Sequence, residues 1–183
     1  YLGVHGGQSI SKTELTNTPG TFSLNGLGSS GYVGGVHGGV DLRLPNSAVF
    51  AGLFAGYDWN NDEFSITAGS AKLTANVGNS WYVGGRAGVL VGPAKLYALT
   101  AFREASWSSS IKNLSLADPK GFDLGIGAEL PIAKNVSIGV EGIRTQYQKS
   151  EFMFGATPAA TGIHAETDVL SVMARLNFQF GNF

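Results

Sequence analysis

GYVGGVHGGVDLRLPNSAVFAGLFAGYDWN, residues 31–60, divides into two alternating sets. Tyr32, Gly34, Val36, Gly38, Val40, Leu42 and Leu44 carry no charge. Between them stand Val33, Gly35, His37, Gly39, Asp41 and Arg43, which hold every charge of residues 32–44. Successive side chains point to opposite faces only along a β-strand, so this is a strand with two chemically different faces. Pro45-Asn46-Ser47 then supplies turn chemistry. The following strand repeats the split. Val49, Ala51, Leu53, Ala55, Tyr57 and Trp59 share one face, and Phe50, Gly52, Phe54, Gly56 and Asp58 the other.

The unit recurs down the chain. Residues 81–104 are again strand, proline turn, strand, with Trp81, Val83, Ala87, Val89 and Val91 opposite Arg86. Residues 121–147 form a third copy, in which Phe122, Leu124, Ile126, Ala128 and Leu130 oppose Asp123 and Glu129, and Val136, Ile138 and Val140 oppose Glu141. Near the end, Leu170, Val172, Ala174, Leu176, Phe178 and Phe180 alternate with Ser171, Met173, Arg175, Asn177 and Gln179. The opening YLGVHGGQSI adds one more strand. Eight strands are expected, over about 1–10, 31–44, 48–60, 79–92, 94–107, 121–131, 136–149 and 166–181. Three connections are short and carry Pro45, Pro93 and Pro131. Four are long and polar, over 11–30, 61–78, 108–120 and 150–165. Matching apolar residues near the turns sets Leu44 opposite Val49 and Val91 opposite Leu96.

The totals narrow the solvent. With 183 residues, 1–183 reads as one domain. Glycine contributes 27 residues, about twice the average usage, and charged residues only 14% against about a quarter in soluble domains. Yet no stretch approaches the roughly 18 apolar residues of a membrane helix. Tyr1 already reads as strand, as expected of a cleaved mature chain or a trimmed one. A net charge of −1 argues against nucleic-acid binding, and the absence of cysteine excludes disulfides and thiolate metal sites. Short turns at one end, long loops at the other and strands of about ten residues are the pattern of a transmembrane barrel. The expected fold is an all-β, eight-stranded antiparallel up-and-down barrel in a bacterial outer membrane, with its apolar face in lipid and its charged face in the lumen.

That facing assigns roles. Asp41, Arg43, Arg86, Arg103, Asp123, Glu129, Glu141 and Arg175 point into the lumen, four acids and four arginines. An uncompensated charge in a narrow lumen would cost several kcal/mol, so equal numbers imply an Arg–carboxylate network that plugs the barrel. Asp41 and Arg43, two apart on one face, are placed to bridge along their strand. Tyr57, Trp59, Trp81, Tyr82 and Trp107 are expected in the aromatic girdle at the loop rim, and Phe178 and Phe180 in the girdle at the turn rim.

The repeated YVGGxxG openings (residues 32–38 and 82–88) and the terminal ARLNFQFGNF resemble the small eight-stranded outer-membrane barrels of Gram-negative bacteria. These are the OmpA-like, OmpX-like and NspA-like families, and the small surface barrels of alphaproteobacteria. The resemblance covers the whole chain. It implies lipid and lipopolysaccharide around the barrel, and insertion by the barrel-assembly machinery, with Phe183 as the terminal aromatic signal. It leaves the role open among structural proteins, adhesins, channels and a few enzymes.

Motifs for chemistry are sparse. GLGSSG (residues 26–31) matches a dinucleotide fingerprint but leads into a strand, where no helix N-terminus could hold a pyrophosphate. His5 and His37 face the lumen, where bonding to neighbours is the simple reading, and His164 lies in a long loop. No serine has a strand histidine beside it at an outer end, so no enzyme is expected, and neither metal nor cofactor. The primary expectation is a surface-recognition barrel, adhesin-like, that acts through its four long loops. The rival is a narrow porin-like channel or transporter for a small ligand, haem or a hydrophobic solute.

Overall fold

The computed structural model describes the backbone of residues 1–17, 23–60, 62–68, 71–109, 114–115, 120–148, 150–154 and 159–180. It describes the side chains of 1–12, 30–59, 78–106, 120–148 and 168–180. The elements are strands: β1 (Leu2–Asn17), β2 (Ser23–Arg43), β3 (Val49–Asn60), β4 (Asp62–Ala68), β5 (Ala71–Val91), β6 (Ala94–Ser109), β7 (Leu114–Ser115), β8 (Lys120–Ala133), β9 (Val136–Tyr147), β10 (Ser150–Phe154) and β11 (Ala159–Phe178). β1, β2, β3, β5, β6, β8, β9 and β11 pair antiparallel in that order. β1 also pairs β11, which closes an eight-stranded barrel without a free edge.

The register fixes its shape. Paired residues run from Leu2 through Gly38, Ala55, Val83, Phe102, Phe122, Gln146 and Asp168 and return to β1 at Lys12, ten residues along. A stagger of that size over eight strands tilts them by roughly 40° and leaves an interior just wide enough for side chains to fill.

Alternation decides which side chains enter it. Val36, Val40, Leu53, Val89, Ile126, Ile138, Leu170 and Leu176 are all exposed, Leu53 by 73% and Ile126 by 71%. Phe50, Phe54, Leu99, Ile143 and Met173, on the opposite faces, are buried. In water such an apolar exterior would be untenable, and its solvent is lipid. Ile126→Arg should therefore cost about 2–4 kcal/mol in urea unfolding from lipid vesicles. A loss below 0.5 kcal/mol, the usual scatter of a surface site, would mean that this face meets water.

Several boundaries differ from the sequence reading. The polar segments 11–30, 61–78, 108–120 and 150–165 are not wholly loops. β1 continues to Asn17, β2 begins at Ser23, β4 pairs with the start of β5, β6 continues to Ser109, and β10 pairs β11. The ladder there continues through mostly polar sequence, without the apolar alternation that marks a lipid-facing strand. β8 runs through Pro131 to Ala133, and the tight turn is Lys134-Asn135. Pro131 lies at a register shift near the strand end, where its missing N–H is tolerated. Pro45 and Pro93 do lie in turns, at the same barrel end. Val91 pairs with Ala94, and Leu96 with Val89. Gly92, with φ +59°, and Pro93 thus make a two-residue hairpin. Glycine first and proline second fit a type II′ turn, because a type I′ turn needs positive φ at both positions. Leu44 does lie opposite Val49, its N–H donating to the Val49 carbonyl at 3.0 Å. Phe183 is outside the described residues.

Candidate functional site

The lumen is built from rows of three residues across three strands, polar–glycine–polar. Asp41 on β2 pairs with Gly52 on β3, which pairs with Arg86 on β5. A Cβ on Gly52 would stand 2.3 Å from Asp41 Oδ1, so the bare glycine is the window through which Arg86 reaches Asp41. Tyr97, Gly127 and Glu141 repeat the arrangement across β6, β8 and β9, as do His5, Gly35 and Asp58 across β1, β2 and β3. His37, Gly3 and Asn177 do so across β2, β1 and β11. In each row the glycine's Cβ would lie 2.7 Å or less from a side-chain atom of the flanking groups. Long polar side chains lie flat across these gaps and meet.

Nearest the turns, Arg86 forks onto Asp41, with Nε donating to Oδ1 at 2.8 Å and Nη2 to Oδ2 at 2.6 Å. Its Nη1 faces Glu129 Oε2 at 3.5 Å. Lys95 Nζ donates to Asp41 Oδ2 at 3.2 Å, and Glu129 Oε1 accepts from Ser137 and Gln179 at 2.6 Å each. The Arg86 guanidinium lies 4.3 Å from the Tyr1 ring centre and 4.8 Å from that of Tyr97. Higher up, Arg175 Nη1 and the Tyr97 hydroxyl both donate to Glu141 Oε1.

Nearest the loops, Arg103 Nε donates to Asp123 Oδ2 at 2.9 Å, and its Nη1 donates to Asp58 Oδ2 and to Ser80 Oγ. Thr145 donates to Asp123 Oδ1 at 2.7 Å. His5 Nε2 bonds Asp58 Oδ1 at 2.8 Å, His5 Nδ1 meets His37 Nδ1 at 3.0 Å, and His37 Nε2 bonds Asn177 Oδ1 at 2.6 Å.

Thus Asp41, Arg86, Arg103, Asp123, Glu129, Glu141 and Arg175 all lie in the lumen, in three linked clusters. Arg43 does not. It is exposed at the turn mouth, where its Nε donates to the Ser47 carbonyl at 2.8 Å, and Asp41 instead takes partners from β5 and β6. Alternation gives Arg43 the correct parity but not its depth, and at the mouth solvent and turn carbonyls compete. Asp58, Lys95, Tyr97 and Asn177 complete the clusters and stand outside the eight expected charges, although Asp58 shares parity with Phe50 and Phe54 and Asn177 with Arg175. Tyr57, Trp59, Trp81, Phe178 and Phe180 are exposed at the two rims. Tyr82 is not in the girdle. It is 6% exposed and lies beneath Arg103, 4.7 Å from ring centre to guanidinium, because the neighbour of an outward Trp81 must point inward. Phe102, packed on Trp81 and Phe122 with ring centres 5.7 and 5.8 Å apart, takes a girdle place. The side chains of Trp107 and His164 are outside the described residues.

No family model and no curated protein sequence matches the chain. Solved structures do. The outer membrane protease OmpT from Escherichia coli aligns with TM-score 0.51 and 11% identity, over 97% of this chain and 97% of that one. Neisserial surface protein A aligns at 0.43 and 14%, over 96% and 97%, and OprG from Pseudomonas aeruginosa at 0.48 and 8%, over 98% and 96%. At such identities the likeness is one of fold. A closed eight-stranded ladder, an apolar exterior between aromatic rims and a charged interior make the chain a transmembrane barrel of the small bacterial outer-membrane type.

Proposed function

We propose that this barrel is a closed membrane anchor that presents its loop end for recognition at the cell surface, in the manner of an adhesin, and that it neither conducts solutes nor catalyses a reaction. The observation that carries this reading is the three clusters stacked along the lumen, each spanning neighbouring strands through glycine windows. The lengths of β2, β5 and β11, 21, 21 and 20 residues, support it further. About ten residues cross the membrane, and the remainder lifts the loop end away from it. His5 and His37 bond each other, Asp58 and Asn177, with no serine among those contacts. The exterior would be wetted by lipid and lipopolysaccharide, insertion would use the barrel-assembly machinery, and the ligand would be a host or neighbouring-cell surface.

Planar bilayers test the closure. The purified barrel should add no steady conductance to the bare membrane. Steady ion steps would transfer the assignment to a narrow transport barrel. Recognition is tested by replacing 61–78 or 150–165 with short turns. Such variants should keep the heat-modifiable gel shift of a folded barrel and lose adhesion to host cells, and unchanged adhesion would remove the recognition role.

A further inference from the structure

We propose that His5 and His37 together bind one proton, held between their Nδ1 atoms, and that this proton balances the charges of the described lumen side chains. The first argument is donor bookkeeping. His5 Nε2 meets a carboxylate oxygen of Asp58, whose other oxygen accepts from Arg103, so the hydrogen in that contact belongs to His5. His37 Nε2 meets the amide oxygen of Asn177, which only accepts, so that hydrogen belongs to His37. A neutral imidazole has a single N–H. Two neutral rings would therefore bring two bare Nδ1 lone pairs within 3.0 Å of each other, both buried. One added proton turns this repulsion into a hydrogen bond and gives the pair one positive charge.

The second argument is charge, and it is independent of the first. Asp41 and Glu129 stand against Arg86 and Lys95, and Glu141 against Arg175. Among the described side chains only the upper cluster is uneven, where Asp58 and Asp123 share Arg103. The missing cation is thus beside Asp58, where His5 is. The groups facing the pair are Asp58 on β3, Arg175 on β11, Arg86 and Tyr82 on β5, and Tyr1. Arg103 on β6 reaches it through Asp58, and Glu141 on β9 through Arg175. The two like-charged neighbours, Arg86 and Arg175, each have their own carboxylate.

The proton sits at the seam where the first strand meets the last, tying β3, β1, β2 and β11. Folded, the pair holds one proton. Unfolded, it holds two below about pH 6.5 and none well above it. Its contribution to stability therefore rises with pH on the acid side and falls with pH on the alkaline side.

Nitrogen-15 NMR of histidine-labelled barrel in lipid bilayers at pH 7.5 tests the site, with His164→Gln removing the third histidine. Three of the four ring nitrogens of His5 and His37 should be protonated, and His37→Gln should return His5 to a single N–H. Two protonated nitrogens in the pair, the neutral arrangement in which the Asn177 amide is turned to donate, would overturn the proposal. Four would overturn it as well.

Discussion

Arg103→Ala should cost the folded barrel about 3–5 kcal/mol, the range for removing one partner from a buried ion cluster. The residue is 6% exposed and holds Asp123, Asp58 and Ser80 at once. Without it two carboxylates face each other across the upper lumen, and only Thr145 and His5 still donate to them. The loss comes from the stranded charges rather than from the missing attraction, and this can be separated. Arg103→Met combined with Asp123→Asn removes one charge of each sign and leaves Asp58 to His5. The double variant should be more stable than Arg103→Ala alone. Urea unfolding in vesicles reads both, and a single-variant loss under 1 kcal/mol would mean that water already reaches the cluster.

Much of this site is legible from period-two alternation alone. Which face Asp41, Arg86, Glu129 and Glu141 occupy follows from parity, because a strand offers only two faces and one is committed to lipid. Partners are another matter. Arg86 meets Asp41 only because β2, β3 and β5 align Asp41, Gly52 and Arg86 in one row, and a register slip of two breaks the row. The apolar matching of Val91 with Leu96 was off by that amount, since it did not anticipate a two-residue Gly92-Pro93 hairpin. Glycine is legible as an unusual abundance, but its role as a window appears only once three strands are aligned. Grouping Tyr82 with Trp81 as a rim aromatic conflicts with the parity that the strand imposes, which turns Tyr82 inward. The segments 11–30, 61–78, 108–120 and 150–165 carry no apolar alternation, and so the strands within them read as loops.

Arg86→Ala should likewise cost about 3–5 kcal/mol, leaving Asp41 and Glu129 with Lys95 as their only cation among the described residues. The larger claim concerns Gly52, which bears no charge. A methyl group there would lie 2.3 Å from Asp41 Oδ1 and 2.5 Å from the Val40 carbonyl, so Gly52→Ala must push Asp41 off the guanidinium. Overpacking of this kind costs about 1–3 kcal/mol, and here part of that is the Arg86–Asp41 fork itself. The two substitutions then damage the same interaction. In a double-mutant cycle Gly52→Ala with Arg86→Ala should cost less than the two single losses combined, by more than the roughly 0.5 kcal/mol scatter of independent sites. Arg86→Lys should fall between wild type and Arg86→Ala. It keeps the charge but loses the two-pronged contact to Asp41 and the packing between Tyr1 and Tyr97. Strict additivity would sink the window idea and return Gly52 to the ordinary role of letting a narrow barrel curve. Coupling would make each polar–glycine–polar row a unit in which the residue without a side chain decides whether the flanking charges meet.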